Sequence, residues 1–174
     1  MANGKLHVSS ACININLATT KINSMELFVK NNITINAPAK KVWDVLTSPE
    51  QTKKYMFGCE TVSDWKPGSS LDWKGSYEGK EMVFVKGNIV DITPGKHLSY
   101  TTIDPNNAAM EDKPENYLTV TYHLQEENGQ TILTVTQGDY NKVAEGEKRY
   151  KEASNNGEGW NPILVEIKKI AESN

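Results

Sequence analysis

The spacing of hydrophobic residues changes abruptly after Ile35. Ile33 and Ile35 alternate with polar residues, which is typical of a strand that buries one face. After Pro38 the apolar residues recur at the spacing of one helix face: Ala39, Val42, Trp43 and Leu46. Proline is tolerated in a first helical turn, and Pro49 ends this helix or starts another. The pattern predicts a strand that leads directly into a short helix with Trp43 on its inner face.

The middle of the chain alternates with a period of two. A polar helical turn over 49–55 comes first. Strand-like alternation then covers five segments: 71–77, 80–92, 97–103, 118–125 and 133–136. Asn128-Gly129 between the last two is a strong hairpin signal, and Gly87 within the second predicts a bulge or bend. The short turns between segments predict antiparallel hairpins and not parallel crossovers.

The C-terminal part returns to the helical period. Five apolar residues share one face of this segment: Trp160, Ile163, Leu164, Ile167 and Ile170. Such an amphipathic helix must cover an apolar surface, and the predicted sheet offers one. We therefore predict an α+β fold. A curved antiparallel sheet of about six or seven strands wraps around a long C-terminal helix, and two short helices follow the first strand. A gap between sheet and helix would form a pocket.

The first 24 residues differ from the rest of the chain. They contain lysine but no Asp or Glu, and polar residues interrupt each apolar stretch, so a secretory signal is not predicted. We predict a flexible extension over 1–24 and a single domain over 25–174. A short additional strand is the alternative for the extension, because Ile13, Ile15 and Leu17 alternate with asparagines.

Composition argues against several functional classes. The formal net charge is −3, so no basic excess is available to neutralise phosphates, and we expect no nucleic-acid partner. No apolar run approaches the ~20 residues of a membrane span. The cysteines, Cys12 and Cys59, do not form a disulfide framework. We interpret them as free thiols of a cytoplasmic protein, with one bridge as the alternative.

Motifs for metal, nucleotide or covalent chemistry are missing from the sequence. The histidines are far apart, no Gly-rich phosphate loop follows a strand, and no Gly-x-Ser-x-Gly turn occurs. We therefore expect no metal, no cofactor and no catalytic residue. The candidate acids and bases are few: Glu81, His97, Asp139 and Tyr140, with Asp64 and Glu158 near tryptophans at a pocket mouth.

Tryptophan and tyrosine are the informative residues of the predicted sheet and helix. Each brings a polar atom that needs a partner when buried, so Leu, Ile or Val would fill a plain core at lower cost. Several such residues between sheet and helix suit a cavity with an apolar body and a few hydrogen-bonding groups. The predicted pocket residues are Met56, Phe57, Trp73, Tyr77, Phe84, Tyr100, Tyr122, Trp160 and Leu164. For any one of them, plain core packing is the alternative.

Several motifs, taken in order, resemble one superfamily. They are Ile35-Asn36-Ala37-Pro38, the segment 42–50, Pro67-Gly68, Pro94-Gly95-Lys96 before Leu98-Ser99-Tyr100, and the segment 159–164 that opens the last helix. This set is similar to the START/birch-pollen-allergen-like (SRPBCC) superfamily, and within it to the branch named after the activator of heat-shock-protein-90 ATPase. The resemblance spans Leu27 to Ala171 and implies the helix-grip fold. The superfamily contains ligand carriers, cyclases, hydrolase-like members and co-chaperone domains.

The functional hypothesis is a protein that binds a small hydrophobic, lipid-like or aromatic ligand between the sheet and the C-terminal helix. A co-chaperone-like domain that stimulates a heat-shock-protein-90 ATPase is the first alternative. A cyclase or hydrolase that uses the same pocket is the second. The sequence favours binding over catalysis, because strand alternation points none of the candidate acids and bases clearly inward. It leaves a monomer and a homodimer open.

Overall fold

The computed structural model describes residues 26–173. The predictions for 1–24, the flexible extension and its alternative strand, lie outside these residues. The helices and strands follow in the order β1 Val29–Ile35, α1 Ala39–Thr47, α2 Pro49–Tyr55, β2 Glu60–Ser63, β3 Ser70–Tyr77, β4 Lys80–Thr93, β5 His97–Thr102, β6 Leu118–Glu127, β7 Gln130–Gly138, α3 Gly146–Ser154 and α4 Asn161–Glu172. None of the helices in this part of the chain is long and apolar enough to cross a bilayer.

The seven strands form one antiparallel sheet in the order β1-β7-β6-β5-β4-β3-β2. The Asn128-Gly129 turn joins β6 to β7, with Glu127 opposite Gln130, which confirms the predicted hairpin. Strand β1 pairs with β7, so the first and last strands of the chain meet in the sheet. Strand β2 was not predicted, because only Thr61 of its four residues is fully buried and no alternation is visible.

Helix α4 packs against β1, α1 and α2. It has 12 residues and buries Leu164, Ile167 and Ala171. Pro162 lies in its first turn, and the Trp160 N–H just before the helix donates to Asn31 Oδ1 of β1 at 2.9 Å. An antiparallel sheet that holds a C-terminal helix in this way confirms the predicted α+β helix-grip fold.

Helix α1 buries a face that is rotated from the predicted one. Val42, Val45 and Leu46 are almost inaccessible to solvent, whereas Trp43 is half-buried and packs against the edge of the core. Successive residues of a helix are about 100° apart around its axis. A buried face centred on Val42, Val45 and Leu46 therefore leaves Trp43 at the edge of that face. Trp43 therefore borders the inner face and does not occupy its centre.

Strand β4 bends where it passes its neighbours. Its register shifts at Phe84 against β3 and at Val90 against β5, as in β-bulges. Gly87 lies between the two shifts, and its backbone approaches β5 so closely that a Cβ would stand 1.7 Å from Thr101 O. The bend predicted at Gly87 is thus a close backbone approach with an irregularity on either side. Because bulges increase twist and curvature, β4 curls the sheet around its apolar face.

Thr52 links helix α2 to strand β2. Its side chain is fully buried, and Oγ1 donates to Pro49 O and accepts from Thr61 N, both at 3.0 Å. We expect Thr52→Val to lower the free energy of unfolding by about 1–3 kcal/mol in urea denaturation, because the buried Thr61 N–H loses its acceptor. Thr47→Val, the control, removes a hydroxyl whose partner among residues 26–173 is Trp43 O of the same helix, and it should cost less. Equal losses would contradict the linking role.

Candidate functional site

A cavity of about 340 Å³ opens between the sheet, the start of α4 and the turn after α2. Its volume is in the range of small-molecule pockets. The residues that line it are Met56, Phe57, Cys59, Trp73, Ser76, Phe84, Val85, Tyr100, Thr102, Val120, Gln137 and Trp160. These described lining residues include no Asp, Glu, Lys, Arg or His. The cavity wall that they form therefore carries no formal charge.

Strand pairing brings much of this wall together. Trp73 of β3 lies opposite Val85 of β4, and Tyr100 of β5 lies opposite Val120 of β6. Val120 also pairs with Gln137 of β7. Residues directly opposite each other in neighbouring antiparallel strands point to the same face of a sheet. These five side chains therefore share the inner face, although they come from five different strands.

Six of the nine predicted pocket residues line the cavity: Met56, Phe57, Trp73, Phe84, Tyr100 and Trp160. The structure places two others behind it, in the core. Tyr122 is 2% exposed, and its ring lies 6.1 Å from that of Tyr100 and 6.0 Å from that of Trp160, centre to centre. Leu164 is fully buried in α4. Both residues face inward, but at a depth where neighbouring side chains fill the space.

Tyr77, the ninth predicted residue, lies outside the cavity. It ends β3 beside the Glu78-Gly79 turn, and 59% of its surface is exposed. The prediction assumed unbroken alternation along β3 from Leu71. The extra residue at the register shift after Trp73 belongs to β4 and not to β3, and Tyr77 lies outside the cavity because the end of β3 projects into solvent.

The wall also contains residues that were not predicted from the sequence: Cys59, Ser76, Val85, Thr102, Val120 and Gln137. Three of these had a signal, and one of them is Thr102, which follows Tyr100 by two positions on β5. Val120 precedes Tyr122 by two positions, and Gln137 continues the alternation of β7, so a period of two places all three on the inner face. Val85 had no such signal, because the irregularity at Phe84 interrupts the alternation of β4.

Trp160 is held in place by two hydrogen bonds. Its indole Nε1–H donates to Gln137 Oε1 at 3.0 Å, and its backbone N–H donates to Asn31 Oδ1. Its ring meets that of Tyr122 edge-on, at an interplanar angle of 85°. The start of α4 is thereby fixed to β7 and β1, which gives the cavity a rigid aromatic wall.

Three buried tyrosine side chains gather next to the cavity: Tyr55, Tyr100 and Tyr122. Burial raises the pKa of Tyr100 to about 12, although the Tyr122 hydroxyl and the Trp73 indole nearby act in the opposite direction. Burial likewise raises the pKa of Tyr55 and of Tyr122 well above the ordinary value. All three phenols therefore stay protonated at neutral pH. Within residues 26–173, Tyr55 Oη and Tyr122 Oη have no hydrogen bond of normal geometry.

The turn after α2 forms the mouth of the cavity. Phe57 is 89% exposed and has a φ of 53°, in the left-handed region that bulky residues rarely adopt. Gly58 continues the turn with a φ of 84°. Cys59 follows, and burial raises the pKa of its thiol, so the sulfur is not a thiolate at neutral pH. An apolar ring thus stands in solvent at the entrance to an apolar space.

A second hollow, of about 330 Å³, adjoins the cavity along Val85, Thr102 and Gln137. Its opposite side includes helix α3 and the residue before it. These contribute four charged side chains: Glu145, Lys148, Arg149 and Glu152. Arg149 is tied down, because its Nη1 donates to Asn116 O at 3.0 Å. A polar hollow therefore meets the apolar cavity at Gln137.

None of the candidate acids and bases lines the cavity. Three of them are exposed to solvent: Asp64, Glu81 and Glu158. His97 Nε2 lies 3.6 Å from Asp91 Oδ2. Asp139 Oδ1 accepts the N–H of Leu27 at 2.9 Å, and this bond is the main reason that the pKa of Asp139 is lowered. Tyr140 lines the second hollow, and burial raises its pKa to about 12.

Solved structures share this fold. The solution structure of ChR145 from Cytophaga hutchinsonii is 38% identical, with a TM-score of 0.65 over 84% of this chain and 94% of that one. The crystal structure of NE0264 from Nitrosomonas europaea is 21% identical, with a TM-score of 0.63 over 84% and 94%. The Aha1 dimer from Colwellia psychrerythraea is 17% identical, with a TM-score of 0.59 over 83% and 96%. Among curated proteins, none matches this chain.

A family model matches most of the chain. It is described as Activator of Hsp90 ATPase homolog 1-like protein, and the match covers residues 36–172. That range contains every described residue of the cavity wall. The match confirms the branch that the sequence motifs resemble. The chain belongs to the Activator of Hsp90 ATPase homolog 1-like family.

Proposed function

We propose that this protein binds a small hydrophobic or aromatic molecule in the cavity of about 340 Å³. The observation that carries the proposal is the chemistry of the wall. Aromatic and aliphatic side chains dominate it, a few neutral polar groups interrupt it, and the described lining residues bring no formal charge. Walls of this composition are typical of small-molecule sites, in which apolar surface gives affinity and a few polar atoms give orientation.

An unfilled cavity and an exposed aromatic ring at its mouth both lower the stability of the folded protein. Atoms around an unfilled space lose van der Waals contacts that a close-packed core would provide. The ring of Phe57 adds an exposed aromatic surface on a turn that bulky residues rarely adopt. A bound apolar ligand would restore contacts along the wall and shield that ring from water. Both costs are explained if the cavity is occupied in the working protein.

A cavity-blocking substitution tests this proposal. Val85 lines the cavity, whereas Val90, on the same strand, is 53% exposed. We expect the wild-type protein to bind the uncharged fluorescent probe N-phenylnaphthylamine. Val85→Phe should lose most of that affinity, because the added ring occupies the space of the ligand. Val90→Phe is the matched control and should bind the probe as the wild type does.

Thermal denaturation gives an independent measurement of the same binding. A ligand at about 100 times its Kd stabilises the folded state by about 2.7 kcal/mol. The probe should therefore raise the Tm of the wild type and of Val90→Phe, but not that of Val85→Phe. If neither the probe nor other apolar compounds bind the wild type, the proposal fails. Undiminished binding by Val85→Phe would place the site elsewhere.

Stimulation of an Hsp90 ATPase is a second candidate function, because the description of the matching family names it. An ATPase assay with Hsp90 tests it, and no stimulation at saturating protein would remove it. A homodimer is also still a prediction for this protein. It has the support that the Aha1 structure from Colwellia psychrerythraea is a dimer. The cyclase or hydrolase alternative has less support, because none of its candidate acids and bases lines the cavity.

A further inference from the structure

Gln137 presents hydrogen-bond donors at the boundary between the cavity and the second hollow. Its Oε1 accepts the indole N–H of Trp160 at 3.0 Å. Since an indole N–H can only donate, this bond fixes which end of the amide faces Trp160. The Nε2 end therefore points elsewhere, and within residues 26–173 it has no hydrogen-bond acceptor. The amide N–H groups thus lie where the apolar cavity meets the polar hollow, without an acceptor among the described residues.

Tyr100 presents another donor. Its hydroxyl lies near the indole N–H of Trp73 and the hydroxyl of Tyr122. Because the indole can only donate, it cannot accept the hydroxyl proton of Tyr100. Burial raises the pKa of Tyr100 to about 12, so the proton stays on the oxygen at neutral pH. Tyr100 lines the cavity, so an acceptor atom of a ligand there can pair with this proton.

The wall discriminates against two kinds of ligand. The described lining residues carry no formal charge, and moving a carboxylate or an ammonium group from water into such a space is very unfavourable. A pure hydrocarbon, in contrast, would fill the space but leave the donors of Gln137 and Tyr100 unpaired. Buried donors without an acceptor also cost free energy. A neutral ligand with an acceptor atom avoids both costs.

We propose that the ligand is an uncharged apolar molecule with a hydrogen-bond-accepting oxygen, such as a ketone or ester carbonyl, which pairs with Gln137 Nε2, Tyr100 Oη or both. This inference rests on the proposed function, because it names the ligand class of the same cavity. The carbonyl oxygen has two lone pairs and no proton, so it matches a wall whose unpaired groups are donors. The apolar remainder of the ligand packs against the aromatic side chains.

Two probes that differ in the oxygen test this inference. Benzophenone and diphenylmethane have the same rings, and only benzophenone carries a carbonyl group. In isothermal titration calorimetry, we expect the wild-type protein to bind benzophenone about tenfold more tightly, which is the effect of one hydrogen bond between neutral groups. Diphenylacetate, which adds a carboxylate, should bind more weakly than both.

Substitutions then remove the donors one at a time. Gln137→Glu keeps an oxygen for Trp160 Nε1 but replaces the amide N–H groups with an acceptor. Tyr100→Phe removes the hydroxyl and keeps the ring. The preference for benzophenone should fall in at least one of these variants and disappear in the double variant. Tyr55→Phe is the matched control, because its hydroxyl is buried but does not line the cavity, and it should keep the preference of about tenfold.

The outcomes separate this inference from the proposed function. If the wild type binds benzophenone and diphenylmethane equally, or if the preference survives in the double variant, the inference is overturned while hydrophobic binding stands. Binding of neither probe overturns both. Loss of the preference in Tyr55→Phe also overturns the inference, because the effect would then not depend on donors in the cavity wall.

Discussion

Replacement of Trp160 by alanine should lower the free energy of unfolding by about 3–5 kcal/mol. The side chain is 9% exposed, so most of its surface is packed. Its loss removes the edge-on contact with Tyr122 and the hydrogen bond from Nε1 to Gln137 Oε1. It also enlarges the cavity, and structure around such a space relaxes only partially. Denaturant unfolding followed by circular dichroism measures the change without depending on tryptophan fluorescence.

Phe57→Ala provides the matched control for this experiment. Phe57 also lines the cavity, but it is exposed to solvent and makes little packing contact. We expect its truncation to change the free energy of unfolding by no more than about 0.5 kcal/mol. A loss below about 1 kcal/mol for Trp160→Ala would contradict its packed role and show that the ring borders solvent rather than the core.

Gly87→Ala should destabilise the protein by about 3 kcal/mol or more, measured as a lower midpoint in urea. An alanine Cβ would stand 1.7 Å from the backbone oxygen of Thr101. The two strands cannot simply separate at this point, because Lys86 and Ile103 exchange backbone hydrogen bonds at 3.0 and 2.9 Å beside it. The added methyl group must therefore displace β4 from β5 over several residues, including the segment that carries Val85.

Gly95→Ala separates this steric effect from the conformational effect of removing a glycine. Gly95 has a φ of 74°, and in the described part of the chain no neighbouring heavy atom lies within 4 Å of a Cβ placed there. We expect a loss of only about 1–2 kcal/mol, since an alanine must adopt the left-handed conformation but meets no obstacle. Similar losses at Gly87 and Gly95 would mean that the sheet tolerates the clash and would contradict the close approach.

The order of the elements could be predicted from the sequence because hydrophobic period and turn chemistry are local properties. The change of period after Ile35 predicts β1 and α1, and Asn128-Gly129 predicts the hairpin of β6 and β7; both are confirmed. The fold class then follows, because one amphipathic helix and one antiparallel sheet can bury their apolar faces in few ways. The pattern is less accurate for single residues: it places Trp43 on the buried face of α1, whereas Trp43 lies at the edge of that face.

The cavity could be predicted only in part, because the hydrophobic period shows which face is inward but not how deep a residue lies. Tyr100 and Tyr122 face inward on neighbouring strands, yet only Tyr100 lines the cavity. The irregularity at Phe84 is equally invisible in the sequence, and it brings Val85 into the wall. Depth and bulges depend on contacts between strands that are distant along the chain, and local patterns do not reveal them.

The pairing of β1 with β7 has a consequence for biosynthesis. Leu27 donates to the side chain of Asp139, 112 residues later, and Asn36 donates to that of Glu172, 136 residues later. Contacts of such long sequence separation require the closure of large loops and slow the folding of a chain. The ribosome synthesises β1 well before β7 and α4, so β1 of the nascent chain has no strand to pair with during this time. Its apolar face is then accessible to other chains and to chaperones.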